Sequence, residues 1–305
     1  MQPLLPGARL AVVSLASSAN PERVHRGVEA LQRLGYLPQL FPTALAKSPP
    51  YFAGTPADRL ADLHRAFADP TIDGILCTRG GYGSNYLLEG MDLELIRSHP
   101  KPFIGYSDYT AIQTWMLDQA SMPVFHGPMV AADFALESGV DLPSFQAALG
   151  GEAYILGPAA GLRPLRSGTA RGILYGGCLS LLTQSLGTRF AAQTEGKLLF
   201  LEDVGAKPYQ ADRMLRHLML AGKLEGVTGI VFGEMLDCSS PNTAPSLLED
   251  AIMGVLDRFH GPIAIGLRSG HVSRANVTLP LGVEAELEVS PEATSLRIAS
   301  REREV

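Results

Sequence analysis

Short apolar segments alternate with amphipathic ones over residues 1–125, and this alternation restricts the possible folds more than any other feature of the chain. In one amphipathic segment, Leu60, Leu63 and Phe67 recur at helical spacing. Strands that are apolar on both faces and separated by helices are typical of a parallel sheet covered on both sides. In such sheets, reactive groups lie beyond the carboxyl ends of the strands. The predicted strands are Arg9–Ser14, Pro38–Phe41, Gly74–Cys77, Pro102–Ile104 and Met122–Phe125, and the predicted helices are Pro21–Leu34, Pro56–Ala68 and Tyr109–Ala120.

The second half of the chain has a mixed pattern, and a length of 305 residues suits two domains. Residues 151–168 are rich in Gly, Ala and Pro, so we predict a linker there, between one domain over residues 1–150 and another over residues 169–305. Towards the end of the chain, apolar and polar side chains alternate with the period of half-exposed strands. The predicted strands here are Lys197–Leu201, Gly229–Phe232, Ile263–Ile265, Val277–Leu279, Val283–Val289 and Ser295–Ile298, and the predicted helices are Tyr209–Leu220 and Ser246–Phe259.

Composition and charge argue against several classes of function. The formal charge is −6 and no segment is dense in Lys or Arg, whereas sequence-independent nucleic-acid binding requires a basic face. The three cysteines lack CxxC spacing, which favours a reducing compartment over a disulfide framework. No apolar segment approaches the roughly 20 residues that span a bilayer. The apolar run Leu10–Ala16 predicts a buried first strand rather than a signal peptide, because no positive cluster precedes it.

A single serine, Ser107, stands where a predicted strand gives way to a helix, in the segment Phe103–Asp108. A sharp turn at this point exposes the hydroxyl, and N–H groups of the helix face any developing oxyanion. The segment departs from the GxSxG pattern, because Tyr109 occupies the position of the second glycine. Two interpretations stay open: Ser107 is a nucleophile, or it caps the helix.

A glycine-rich segment, Thr78–Gly83, also follows a predicted strand. Glycines allow backbone amides to approach a ligand closely, which suits an oxyanion hole or an anion site. A tight turn between a strand and a helix uses the same residues. The spacing matches neither a P-loop nor a dinucleotide-binding fingerprint.

Two carboxylates, Glu202 and Asp203, end the apolar segment Leu198–Leu201, and His271 follows the glycine-rich turn Gly266–Gly270. A carboxylate in such a position can hold an imidazole in one tautomer, and His transfers protons near neutral pH. Equally, the carboxylates can cap the following helix and the histidine can be structural.

The other potential ligands and nucleophiles give no comparable signal. The remaining histidines form no HExxH or similar pair, so the sequence supports neither a metal nor another cofactor. Cys77 and Cys178 are expected to be small buried residues rather than nucleophiles.

Taken together, these segments resemble the LD-carboxypeptidase family, whose relatives include the microcin C immunity peptidases. The similarity runs along nearly the whole chain, and the segments occur in the order that the family shows. The segments that carry it are Tyr51–Gly54 with Arg59 and Leu60, Arg79–Gly83, Gly105–Asp108, Phe125–Pro128, Leu201–Val204 with Asp212–Leu215, and Gly270–His271 with Thr278–Gly282.

The resemblance implies a catalytic triad of Ser107 as nucleophile, His271 as base and Glu202 as the group that orients the base. It implies that the backbone N–H groups of Asp108 and Gly81 stabilise the oxyanion. The substrate would be a murein tetrapeptide, from which a cytoplasmic enzyme removes the terminal D-alanine during peptidoglycan recycling, without a metal. The family tendency is a homodimer. We also expect substrate contacts from Arg79, Gly80 and Tyr82.

The fold expected on these grounds is α/β. Its N-terminal domain would have a parallel sheet of the Rossmann or flavodoxin kind and would carry the serine. Its smaller, mixed α/β C-terminal domain would be β-barrel-like and would carry Glu202 and His271.

Two departures from the family pattern concern substrate contacts rather than the triad. Cys178 stands where members usually have asparagine, and Ala206 stands where many have an acidic residue. The cation that binds the substrate carboxylate is left open among Arg79, Arg213 and Arg274. Two other functions also stay open: hydrolysis of peptidyl-nucleotide antibiotics, and muropeptide binding without cleavage.

Overall fold

The computed structural model describes residues 2–239, 244 and 246–301. The chain forms two compact units. The first contains residues 1–152 together with the returning segments 274–280 and 300–305, and the second contains residues 153–273 and 281–299. None of the helices in the described residues combines the length and apolar character that a bilayer crossing requires.

The first unit is built on a six-stranded sheet with the order β12-β5-β4-β3-β1-β2. Strands β1 to β5 pair in parallel throughout. Their order, 2-1-3-4-5, is the flavodoxin-like arrangement, so the predicted parallel-sheet class is confirmed. The strands are β1 (Arg9–Val13), β2 (Leu37–Leu40), β3 (Gly74–Cys77), β4 (Phe103–Gly105), β5 (Val124–His126) and β12 (Leu279–Leu281).

Local capping explains where the helices of this unit begin. Asn20 accepts N–H groups of the first turn of α1, and Pro21 occupies its first position. Thr55 and Asp58 form a reciprocal capping box at the start of α2. The helices are α1 (Pro21–Arg33), α2 (Pro56–Ala68), α3 (Leu93–Ser98), α4 (Thr110–Ala120) and α5 (Leu142–Gly150).

The second unit contains a mixed eight-stranded sheet with the order β6-β14-β13-β8-β9-β10-β11-β7. Strands β8 to β11 pair in parallel, and antiparallel strands flank them. The strands are β6 (Tyr154–Leu156), β7 (Arg163–Arg166), β8 (Gly168–Cys178), β9 (Lys197–Glu202), β10 (Gly229–Gly233), β11 (Ile263–Leu267), β13 (Glu284–Val289) and β14 (Thr294–Ile298), and the helices are α6 (Leu179–Gln184), α7 (Pro208–Leu220) and α8 (Leu247–Val255).

The mixed α/β class of this unit is confirmed, but the barrel-like form is not. In the described residues the sheet is open, because its end strands β6 and β7 each pair with one neighbour and not with each other. The region predicted as a linker, residues 151–168, contains these two end strands. Edge strands pair on one side only and tolerate Gly and Pro, which explains why composition did not reveal them.

Candidate active site

Ser107 lies two residues beyond the end of the parallel strand β4, in a tight turn that leads into α4. Its φ is +66°, in the left-handed region that non-glycine residues rarely adopt. Its side chain is half-buried. A strained turn of this kind after a strand presents the nucleophilic hydroxyl in α/β-hydrolases. Helix capping does not require the strain.

Glycines surround this turn because no side chain fits there. A Cβ on Gly80 would lie 2.8 Å from Ser107 Cβ and 3.0 Å from Ser107 Oγ. A Cβ on Gly105 would lie 2.9 Å from the ring of Tyr109 and 3.3 Å from Cys77 Cβ. Gly105 therefore permits the turn, and the Gly80 backbone packs directly against the serine.

The backbone amides predicted as oxyanion donors are those of Gly81 and Asp108. Gly81 has φ +112° and is exposed. Within the described part of the chain, neither the Gly81 nor the Asp108 N–H donates a hydrogen bond to another protein group. Amides that make no internal hydrogen bond can donate to a bound oxyanion.

A buried hydrogen-bond network, formed by Asp108 and Arg59, holds the glycine-rich loop in place. The Asp108 carboxylate accepts the Ser84 N–H at 2.7 Å. Burial raises the pKa of the Asp108 carboxyl, although hydrogen bonds from Ser84 and Gly83 and the charge of Arg59 oppose the rise. Arg59 is fully buried, and its Nη1 donates to the carbonyls of Leu15 and Gly83, each at 2.8 Å. These bonds fix the glycine-rich loop on which Gly80 and Gly81 lie.

In the second unit, the structure brings Glu202 and His271 together. His271 Nδ1 lies 2.8 Å from Glu202 Oε2, and the His271 backbone N–H donates to the same oxygen at 3.1 Å. The Glu202 side chain is fully buried at the end of β9, whereas that of His271 is 20% exposed. A buried carboxylate that accepts from Nδ1 leaves Nε2 as the site for proton exchange.

Two glycines make room for the Glu202 carboxylate. A Cβ on Gly270 would lie 2.6 Å from Glu202 Cδ, and Gly270 has φ +92°. A Cβ on Gly233 would lie 2.6 Å from Glu202 Cβ. The glycine-rich turn before His271 therefore permits close packing of the imidazole on the carboxylate.

The adjacent Asp203 has a different role. Its carboxylate accepts the N–H of Ser180, at the start of α6, and its own neighbour Val204 N–H, both at 2.8 Å. Of the two carboxylates that end β9, one caps a helix and the other binds the histidine.

Asp203→Asn is expected to change how stability depends on pH. Burial raises the pKa of Asp203 above its ordinary 3.8, against hydrogen bonds from Val204 and Ser180. Folding therefore favours the protonated form, and this group's contribution to stability falls as pH rises from 3.8 through the folded-state pKa. Asparagine does not titrate. The free energy of unfolding of the variant, relative to the wild type, should thus increase as pH rises above 3.8, as urea denaturation would measure. A constant difference would contradict this account.

Comparison with known proteins identifies the family of both parts of the chain. A family model described as the LD-carboxypeptidase N-terminal domain matches residues 10–127, and one described as the LD-carboxypeptidase C-terminal domain matches residues 171–287. The chain belongs to the LD-carboxypeptidase family.

Relatives named for this activity match most of the chain. A probable murein peptide carboxypeptidase from Bacillus subtilis is 36% identical over 92% of this chain and 89% of its own length. A murein tetrapeptide carboxypeptidase from Pseudomonas aeruginosa is 33% identical over 78% of this chain and 80% of its own. The crystal structure of an MccF-like protein from Bacillus anthracis has a TM-score of 0.90 and 27% identity, and the match covers 98% of this chain and 99% of that one. This LD-carboxypeptidase is therefore a peptidase by family.

The residues considered for substrate contacts lie at different positions on the surface. Arg79 is exposed, and its Nη2 lies 3.4 Å from the position of a Cβ on Gly81. Tyr82 is exposed on the same loop, and its N–H donates to Ser17 Oγ at 3.1 Å. Arg213 is exposed on α7, 6.0 Å from the Tyr209 ring centre, and Arg274 is exposed in a returning segment.

The cysteines are buried, as expected from the sequence. Burial raises the pKa of Cys77 and of Cys178 well above the ordinary thiol value, so neither forms a thiolate near neutral pH. Cys178 ends β8 directly opposite Glu202 in the register of β8 and β9. Among the described residues, no group of three or more His, Cys, Asp or Glu side chains is arranged to hold a metal ion.

Sequence reasoning missed Arg59 as a supporting residue, because an arginine on an amphipathic helix is ordinarily exposed. The sequence signal for a role of Arg59 was its position in a segment that resembles the LD-carboxypeptidase family. The sequence also did not reveal the ring contacts that Tyr51 and Tyr86 make with Tyr82, which join two separate parts of the chain.

Proposed function

We propose that this LD-carboxypeptidase is a cytoplasmic serine peptidase that removes the terminal D-alanine from murein tetrapeptides. The names of the relatives support the substrate class. The observation that carries the serine mechanism is the left-handed backbone of Ser107 after β4, at φ +66°. Such strain is retained where a hydroxyl must be presented to a substrate.

The reaction is acyl transfer in two steps. His271 Nε2 takes the proton of Ser107 as Oγ attacks the carbonyl carbon of the penultimate residue, and the Gly81 and Asp108 N–H groups stabilise the oxyanion. The peptide C–N bond then breaks, and the D-alanine amine leaves with the proton from His271. Water attacks the ester with His271 again as base, which releases the tripeptide and restores Ser107.

Arg79 is the best supported partner for the free carboxylate of the substrate. It is exposed, and its guanidinium lies beside Gly81, which the mechanism uses as an oxyanion donor. A guanidinium forms two parallel hydrogen bonds to a carboxylate. Arg213 lies against Tyr209 on α7, which makes it a weaker candidate.

The proposed activity predicts release of free D-alanine from a tetrapeptide that ends in D-alanine after an L-centre. Mass analysis of the products measures this directly, with the same peptide ending in L-alanine as the control. An intact tetrapeptide, incubated with folded enzyme, would refute the function.

The resemblance to the family also supports a cytoplasmic homodimer, which cell fractionation and sedimentation would test.

A second candidate is hydrolysis of peptidyl-nucleotide antibiotics, and the likeness to an MccF-like structure supports it. The same chemistry would serve both substrates. Cleavage of an aminoacyl sulfamoyl adenosine in preference to the tetrapeptide would favour this candidate. Tight muropeptide binding with no cleavage of either substrate would favour a sensor.

Gly80→Ala is expected to reduce kcat by about 10²-fold, because the added methyl would displace the Ser107 hydroxyl. The Cβ would lie 2.8 Å from Ser107 Cβ. The matched control is Gly254→Ala in α8, where an added Cβ meets nothing within 4 Å. Steady-state kinetics of both variants would make the comparison, and equal activity would contradict the role of Gly80.

A further inference from the structure

Four aromatic rings form one cluster in the first unit, here called the tyrosine surface: Tyr51, Phe52, Tyr82 and Tyr86. Their ring centres lie 4.7–6.1 Å apart. The three tyrosines are 47%, 38% and 56% exposed, respectively. Large exposed aromatic groups of this size mark binding sites rather than ordinary surface.

The fold holds these rings in place. Ser48 and Phe52 exchange backbone hydrogen bonds in both directions, at 2.7 and 2.9 Å. The buried Arg59 guanidinium lies 4.9 Å from the Phe52 ring centre. A Cβ on Gly83 would lie 2.5 Å from the Phe52 ring, so the ring packs directly on the glycine-rich loop. A rigid aromatic surface loses little conformational entropy when a ligand binds.

The tyrosine surface includes Tyr82, which lies on the same glycine-rich loop as Gly80. Tyr82 is two residues after Gly80, whose backbone packs against Ser107. The Ser17 hydroxyl accepts the Tyr82 N–H, and Ser17 also forms a backbone bridge with Phe52. Tyr82 therefore belongs to the loop that packs against Ser107, and Ser17 connects Phe52 to the same loop.

We propose that the tyrosine surface binds a sugar ring of the substrate, the amino sugar to which a murein peptide is attached. This inference rests on the proposed function, since it takes the substrate to be a murein peptide. A pyranose ring has apolar C–H faces that pack on aromatic rings and hydroxyls that bond to phenols.

The ring geometry favours a sugar over a nucleobase. Three of the five pairs meet edge to face, with angles of 60–78° between planes, and the other two are tilted at 37° and 58°. A flat base stacks best on an open, parallel aromatic face. A puckered, hydroxyl-rich ring matches a surface of mixed edges, faces and phenol groups.

The test compares hydrolysis of a free tetrapeptide with that of the same tetrapeptide linked to N-acetylmuramic acid. The wild type should prefer the sugar-linked substrate in kcat/KM. In Tyr51→Leu and Tyr86→Leu this preference should fall about five- to tenfold, the size of one lost ring contact. The matched control is Tyr209→Leu, which removes a 66% exposed tyrosine from α7 and should keep the preference. Equal rates in the wild type, or an unchanged preference in both variants, would overturn the proposal.

Binding separates this inference from the proposed function. Calorimetric titration with muramyl dipeptide, which lacks the scissile bond, should show binding that Tyr86→Leu weakens about five- to tenfold. If the wild type hydrolyses neither tetrapeptide, the proposed function fails, and the titration still decides the sugar site. Binding of adenosine monophosphate instead, with the same sensitivity to Tyr86→Leu, would overturn the sugar assignment.

Discussion

Replacing Ser107 with alanine is expected to lower kcat for D-alanine release by about 10⁴–10⁶-fold. The substitution removes the only atom of this side chain that can attack a carbonyl. The backbone should stay as it is, because alanine has the same Cβ at φ +66°. Single-turnover kinetics and circular dichroism would measure rate and fold together. Activity within tenfold of the wild type would remove Ser107 from the mechanism.

Ser107→Gly provides a matched comparison that detects the strain. A side chain in the left-handed region costs about 1–2 kcal/mol, and glycine relieves it at some cost in unfolded-state freedom. We expect both variants to be inactive, with Ser107→Gly about 1 kcal/mol more stable than Ser107→Ala in urea denaturation. Equal stabilities would mean that the turn stores no strain. The combination of lost activity and gained stability is typical of a site retained for function.

Glu202→Gln is expected to reduce kcat by about 10⁴-fold with little change in substrate binding. Glu202 Oε2 accepts from both the ring Nδ1 and the backbone N–H of His271. A glutamine amide that turns its NH₂ group towards Nδ1 would put the imidazole proton on Nε2, where it blocks proton transfer from Ser107. The carboxylate also stabilises the imidazolium that forms during attack. Both effects are lost in the amide.

The control for this variant is Asp203→Asn, at the next residue. Asp203 is also buried, but its carboxylate accepts the N–H groups of Ser180, at the start of α6, and of Val204. We expect its kcat to stay within about tenfold of the wild type. If Asp203→Asn loses as much activity as Glu202→Gln, the assignment of the orienting carboxylate is wrong. Steady-state kinetics across pH would separate the two variants.

Much of the first sheet follows from local pattern. The apolar segments predicted as strands over residues 1–125 correspond to the parallel strands β1 to β5. Strand β1 lies within its predicted range, and β3 matches its predicted range. The turn at Ser107 was also detectable, because a glycine two residues before a serine at a strand end is a local signal. Its left-handed backbone was not, since φ depends on the packing of Gly80 and Gly105 around it.

Long-range pairing explains what the pattern missed. The strand β8 was not predicted, because its glycine-rich sequence becomes a strand only through pairing with β9 and β13. Half-exposed β structure was predicted for Val277–Leu279, and this was wrong in exposure: the strand is Leu279–Leu281, and all three residues are buried. The alternation predicted for Val283–Val289 is confirmed by the burial pattern of β13.

At the candidate site, too, some features follow from the local sequence and others depend on contacts between distant residues. The residue pattern alone did not distinguish Glu202 from Asp203, although the family resemblance implied Glu202. The hydrogen bonds of Ser180 and His271 show how the contacts of the two carboxylates differ. The contact between Glu202 and His271 spans 69 positions and depends on the missing side chains of Gly233 and Gly270.

The first sheet takes its edge strand, β12, from a segment near the far end of the chain. A fragment that ends at residue 152 would leave β5 with an unpaired row of N–H and C=O groups, which invites aggregation between copies. Translation must therefore reach the last part of the chain before this sheet is complete. A circular permutant that opens between residues 152 and 274 would bring residues 274–280 ahead of β1, so that the edge strand β12 would be synthesised before the rest of the first sheet.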